Sequence, residues 1–145
     1  MDRDVIYEHQ IDASLEKTWA VVSDFGSLLD WVVGGDEGTI SLSGDGIGMV
    51  RDLTLPSVGA VQHRLDALDH DQHLLTYSLT AGRPLGMAAY SVSARLTKSG
   101  SNRCMIRWVG HFEPTAGADA DQMAQGLQNA YQDLSERLNT LITDS

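Results

Sequence analysis

The sequence predicts an α+β fold: a curved, seven-stranded antiparallel sheet wrapped around one long C-terminal helix, with two short helices after the first strand. Three observations predict it. Six segments of alternating polarity follow one another between residues 38 and 112, separated by turns rich in Gly, Ser, Pro and Asp. The last 25 or so residues carry a single apolar stripe at helical spacing. A sheet with one greasy face needs a cover, and that helix supplies it.

Residues 4–11, DVIYEHQI, form the first strand: Val5, Tyr7, His9 and Ile11 oppose Ile6, Glu8 and Gln10. DASLEKTWAVV follows, with Leu15, Trp19 and Val22 on one helical stripe and Asp12 or Ser14 as its cap. Gly26 separates this helix from a second short turn around Leu28, Leu29 and Trp31, and GGDEG closes the segment as a turn. Strands are expected at about 38–43, 47–55, 59–68, 73–80, 87–97 and 103–112. The closing helix is expected over about 119–142. Asp119 and Gln122 form a capping-box pattern, and Leu127, Tyr131, Leu134, Leu138 and Leu141 form the buried stripe. A twisted sheet bent around one rod does not close perfectly, and the gap becomes a cavity.

Composition narrows the function. The 145 residues fit one domain, 1–145, with 42% apolar residues to build a core. Twenty acids against ten Lys and Arg give a net charge of −10, which repels phosphate backbones, so nucleic acid is not an expected partner. MDRDVIYEHQI has no apolar core of signal-peptide length, and no run approaches the ~20 apolar residues of a membrane span. Cys104 is the lone cysteine, so no intrachain disulfide forms. A cytoplasmic protein without membrane insertion is expected, and a homodimer is compatible with the sequence. No phosphate-binding loop, dinucleotide fingerprint or GxSxG elbow occurs, and no cofactor is expected. Asp69-His70-Asp71-Gln72-His73 resembles a metal sequence, but these residues favour a hairpin bend in any case, and no metal is expected there.

The order of elements, with IDASLEKTWAVVSDFGSLLDW, GIGMVRDL, HRLDALD, LLTYSL, a tyrosine in a long strand, and W…FEP before the last helix, resembles the helix-grip fold. That is the START and birch-pollen-allergen superfamily (SRPBCC), including its polyketide cyclase/dehydrase and lipid-transport group. The resemblance covers nearly the whole chain. It is also similar, more distantly, to the plant abscisic-acid receptors. In those a VRD strand runs into a Leu-Pro gate loop, RL…LD opens the next strand, and a latch loop precedes a tyrosine-bearing strand. The matching loops here are 55–60 and 82–85. Where the receptors hold the hormone with a lysine, this sequence has Trp31-Val32-Val33, and the latch reads Arg83-Pro84-Leu85. The hormone and the receptors' phosphatase partner are therefore not carried over.

The resemblance implies a small hydrophobic or amphipathic ligand, lipid- or polyketide-like, held between sheet and helix. The ligand-facing set is then Trp31, Arg51, Leu53, Leu55, His63, Tyr77, Leu79, Tyr90, Arg107 and Tyr131. Alternation puts Ala88, Tyr90, Val92, Ala94 and Leu96 on the inner face of their strand. Arg51 shares a face with Leu53 and Leu55; it either fixes a ligand oxyanion or pairs with a surface acid such as Asp45 or Glu37. Strand 103–112 reads two ways. Composition buries Cys104, Ile106, Trp108, Gly110 and Phe112, whereas the receptor alignment turns Arg107 and His111 inward, beside His63. On the second reading His63, Arg107 and His111 are catalytic candidates for a cyclase-, aromatase- or dehydratase-type enzyme. A third reading makes Leu55, Pro56 and Leu85 a surface for a protein partner.

Overall fold

The computed structural model describes residues 3–82 and 84–143; Arg83 of the expected latch and the side chain of Leu85 lie outside the described residues. The strands are β1 (Arg3–Ile11), β2 (Thr39–Ser43), β3 (Val50–Leu55), β4 (Gly59–Asp69), β5 (Leu74–Ala81), β6 (Met87–Gly100) and β7 (Arg103–Pro114). The helices are α1 (Leu15–Val22) and α2 (Ala120–Thr143), with 3₁₀ turns at Leu28–Asp30, Gly35–Glu37 and Pro84–Gly86. All seven strands join one antiparallel sheet in the order β1-β7-β6-β5-β4-β3-β2. This is the expected helix-grip arrangement. Among the described residues no helix is long and apolar enough to cross a membrane.

Local chemistry sets the element ends. Ser14 caps α1, its Oγ accepting from the Lys17 amide. Asp119 caps α2, its carboxylate accepting from the amides of Asp121 and Gln122. The Asp69 carboxylate accepts from the amides of Asp71 and Gln72, so the histidine-bearing segment is a hairpin turn. Gly59 sits at φ +73°, which lets the chain double back from β3 into β4.

The helix does not cover the sheet evenly. It packs chiefly on β1 and then on β7, at one side of the sheet. There the interior is solid. Trp108 stacks on Tyr131 with centroids 5.2 Å apart, and its indole N–H donates to Ser135 Oγ at 2.9 Å. Cys104, Ile106 and Leu138 are fully buried beside them. Gly110 makes this closeness feasible: a Cβ there would stand 2.1 Å from Tyr131 Oη. Toward β3 and β4 the helix and sheet diverge.

Two sequence expectations are corrected. Composition, not the receptor alignment, sets the orientation of β7: Cys104, Ile106, Trp108 and Phe112 point inward. Arg107 and His111 therefore lie on the outer face, 4.0 Å from Glu8 and 2.5 Å from Asp4 respectively. Ala88 is exposed because the β6–β7 register shifts between Met87 and Ala89, which turns Met87 inward in its place.

Candidate functional site

Where helix and sheet part, a cavity of about 410 Å³ opens. Leu53 and Leu55 of β3, Val61 and His63 of β4, Tyr77 of β5 and Met87 and Tyr90 of β6 form its floor. Leu127, Ala130 and Leu134 of α2, with Gly126, form its roof. Its mouth lies between Val32 and Val33, Ser57 and Val58 of the β3–β4 loop, Pro84 before β6, and Asn129 and Asp133 of α2. The Pro/Gly break between β3 and β4 is thus a rim loop. The volume is within the range of small-molecule sites, and the walls are mainly apolar.

The polar groups gather at one end. Arg51 is 4% exposed. One guanidinium nitrogen donates to the Phe25 carbonyl at 3.0 Å, and another lies 2.9 Å from His63 Nδ1. Its carbon sits 3.9 Å over the Phe25 ring and 4.8 Å from the Tyr77 ring centroid. Its Nε has no hydrogen-bond partner. Burial pulls the guanidinium below its ordinary range, and the Tyr77 phenol partly offsets that. Neither Asp45 nor Glu37 reaches it; among the described residues no ion pair includes Arg51. Cation–π contact with two rings recovers about 2 kcal/mol, less than the several kcal/mol that desolvating an ion costs.

This arrangement fixes the protonation of His63. An arginine only donates, so His63 Nδ1 accepts and Nε2 carries the proton. Burial, then the Arg51 charge, push the His63 pKa down to about 3. His63 is therefore a neutral ring at physiological pH, and it lines the cavity with an N–H to offer. Its base nitrogen is already occupied. Tyr77 stands beside it, ring centroids 4.7 Å apart. Burial raises the Tyr77 pKa, and the nearby Arg51 charge partly counters this. A second pair lies farther under the helix: the Tyr90 and Tyr131 hydroxyls are 2.5 Å apart, and burial raises both pKa values. The lining carboxylate, Asp133, sits at the mouth and bonds Arg137 at 2.8 Å.

The structure brings together Leu53, Leu55, His63, Tyr77 and Tyr90 on the cavity wall, with Arg51 directly behind His63 and Tyr77. Trp31 and Arg51 instead border a separate void of about 20 Å³, too small for an organic ligand. Tyr131 touches the site through Tyr90. Leu79 faces a side cleft where β5 and β6 separate beyond the Ser78–Ser91 pair. Arg107 and His111 are absent from the cavity, so the expected polar cluster with His63 does not form. Leu55 is buried, which removes it from an exposed partner surface. The small residues Ala120, Ala124, Gly126 and Ala130 of the last helix read either as room for a ligand or as close helix–sheet contact, and Gly126 and Ala130 line the cavity, as does Val58 of the expected rim loop. Sequence reasoning missed Leu134 and Val33 as lining residues.

Residues 3–143 match the family model described as polyketide cyclase / dehydrase and lipid transport, and the chain belongs to that family. No curated protein matches the sequence. Among solved structures, the protein XoxI from Bacillus cereus superposes with a TM-score of 0.84 at 22% identity, over 97% of this chain and 96% of that one. Ara h 8.0201 gives a TM-score of 0.81 at 17% identity over the full length of both chains. Norcoclaurine synthase from Thalictrum flavum, in complex with dopamine and hydroxybenzaldehyde, gives 0.75 at 17% identity, over 99% of this chain and 88% of that one. At these identities the likeness concerns the fold.

Proposed function

We propose that this protein binds a small, largely apolar molecule in the cavity between α2 and strands β3–β6. One observation carries the reading: a void of about 410 Å³ with mainly apolar walls and a few polar groups gathered at one end. Burying apolar ligand surface there gains roughly 25 cal/mol per Å² before ordering costs. The family's lipid-transport and cyclase members support the same reading. Binding is favoured over catalysis by the state of His63. A cyclase- or dehydratase-type reaction needs a base beside the substrate, and here the imidazole is held as a neutral donor.

The test is a titration with the neutral apolar dye N-phenyl-1-naphthylamine. Saturable fluorescence enhancement at one dye per chain is expected. Ala130→Phe places a ring in the void and should weaken dye binding by at least about tenfold, with the urea midpoint nearly preserved. Equal dye affinity in the two proteins would locate the dye elsewhere and end this reading.

A further inference from the structure

The occupant's polar end is open to inference from charge, and this step rests on the cavity reading above. The chain has twenty acids for ten Lys and Arg, yet among the described residues none pairs with the most deeply placed cation. Arg51 faces two rings, one backbone carbonyl and one imidazole, with Nε unpartnered. None of these carries a negative charge. Its effect passes into the cavity by two routes. It fixes His63 as an Nε2–H donor, and it stands 4.8 Å from the Tyr77 ring centroid, beside a phenol that burial keeps protonated. The floor is thus a pair of donors backed by an unneutralised positive charge in a dry, low-dielectric setting. A ligand amine would meet the same positive charge and find no carboxylate beside it. The Asp133 carboxylate stands at the mouth, bonded to Arg137.

We propose that the natural occupant is an apolar organic acid bound as its anion, its carboxylate accepting from His63 Nε2–H and the Tyr77 hydroxyl with Arg51 neutralising it from behind. The apolar remainder lies along Leu53, Val61, Leu127 and Ala130 toward the mouth. A charge-assisted acceptor on these donors is stronger than a neutral one, so an acid is preferred over its own ester.

The experiment displaces N-phenyl-1-naphthylamine from the intact protein with decanoate, methyl decanoate and decylamine at neutral pH. Decanoate should compete at least about tenfold better than the ester, and the amine worst. In Arg51→Gln and in His63→Leu the acid-to-ester ratio should fall toward one. The wild-type ratio decides the matter by itself should Arg51→Gln fail to fold. Dye binding with no acid preference, or an acid preference that persists in folded Arg51→Gln and His63→Leu, overturns this proposal and leaves the cavity reading standing. Absence of dye binding removes both.

Discussion

The two sides of the helix–sheet interface solve the same problem oppositely. Over β1 and β7, bulky side chains pack closely: Trp108 lies flat on Tyr131, and a glycine is needed where the tyrosine hydroxyl arrives. Over β3 and β4 the helix offers Gly126 and Ala130, the strands offer Val61 and Leu53, and a cavity remains. The first side anchors α2 so that the second side can stay open. A hollow core costs packing, and one that persists requires its rigidity to come from elsewhere. The solid side supplies it through stacked aromatics and a buried Trp–Ser bond.

The largest effect is expected from breaking the solid side. Gly110→Ala puts a methyl 2.1 Å from Tyr131 Oη and 3.1 Å from the carbon that bears it. Tyr131 is 2% exposed and sits against Trp108, so it has little room to swing away. Relief requires the helix to lift or the ring to leave, which also severs the Tyr90–Tyr131 bond. A loss of about 3 kcal/mol in urea unfolding is expected, at the upper end for overpacking. Ala130→Phe adds far more volume on the hollow side and should cost under about 1 kcal/mol, because the space is already there. Equal costs for the two would dissolve the contrast.

The comparison also shows what could be read from the residues. The solid side was legible. Trp108, Phe112, Leu127, Tyr131 and Leu138 announce burial by type and period, and composition orients β7 unaided. Reversing that strand would expose three large apolar groups, Ile106, Trp108 and Phe112, and would bury Arg107 and His111 in their place, a double cost. Ser135 was not legible by type, because a serine reads as wet. Its place four residues beyond Tyr131 on the stripe is the signal, and its reason is the Trp108 indole that needs an acceptor. The face of Arg51 was readable, but its partners were not. The Phe25 carbonyl comes from a loop 26 residues away, and only the folded chain brings it there. The shift that hides Met87 and exposes Ala88 is a bulge, which alternation cannot anticipate.

A middle-sized effect tests the polar floor of the hollow side. Between pH 6.5 and about 3 the unfolded chain protonates this histidine while the folded chain keeps His63 neutral. The unfolded state then binds the extra proton. Stability from neutral His63 is thus fully present above pH 6.5 and is lost as pH falls toward 3. Its share of the decline from pH 7 to pH 5 is about 2 kcal/mol. Urea unfolding of His63→Leu should show a decline shallower by about that amount. Parallel declines would mean that His63 takes up its proton in the folded protein, and the dry, Arg51-backed floor would be wrong.

The smallest effect belongs to Arg107, which decides between the two orientations of β7 from the functional side. Its side chain is about half exposed and stands 4.0 Å from the equally exposed Glu8. Such a pair is screened by water and salt, and it holds two flexible chains at an entropic cost. Arg107→Ala should change urea stability by less than about 0.5 kcal/mol. It should also leave the acid-to-ester ratio where it stands in the wild type, because the sheet separates it from the cavity. Arg51 and Arg107 are thus the same residue type on opposite faces of one sheet, with opposite consequences for the ligand. Loss of the ratio in Arg107→Ala would turn β7 over, bring Arg107 and His111 beside His63, and restore the three-residue polar cluster that the buried face of Trp108 now excludes.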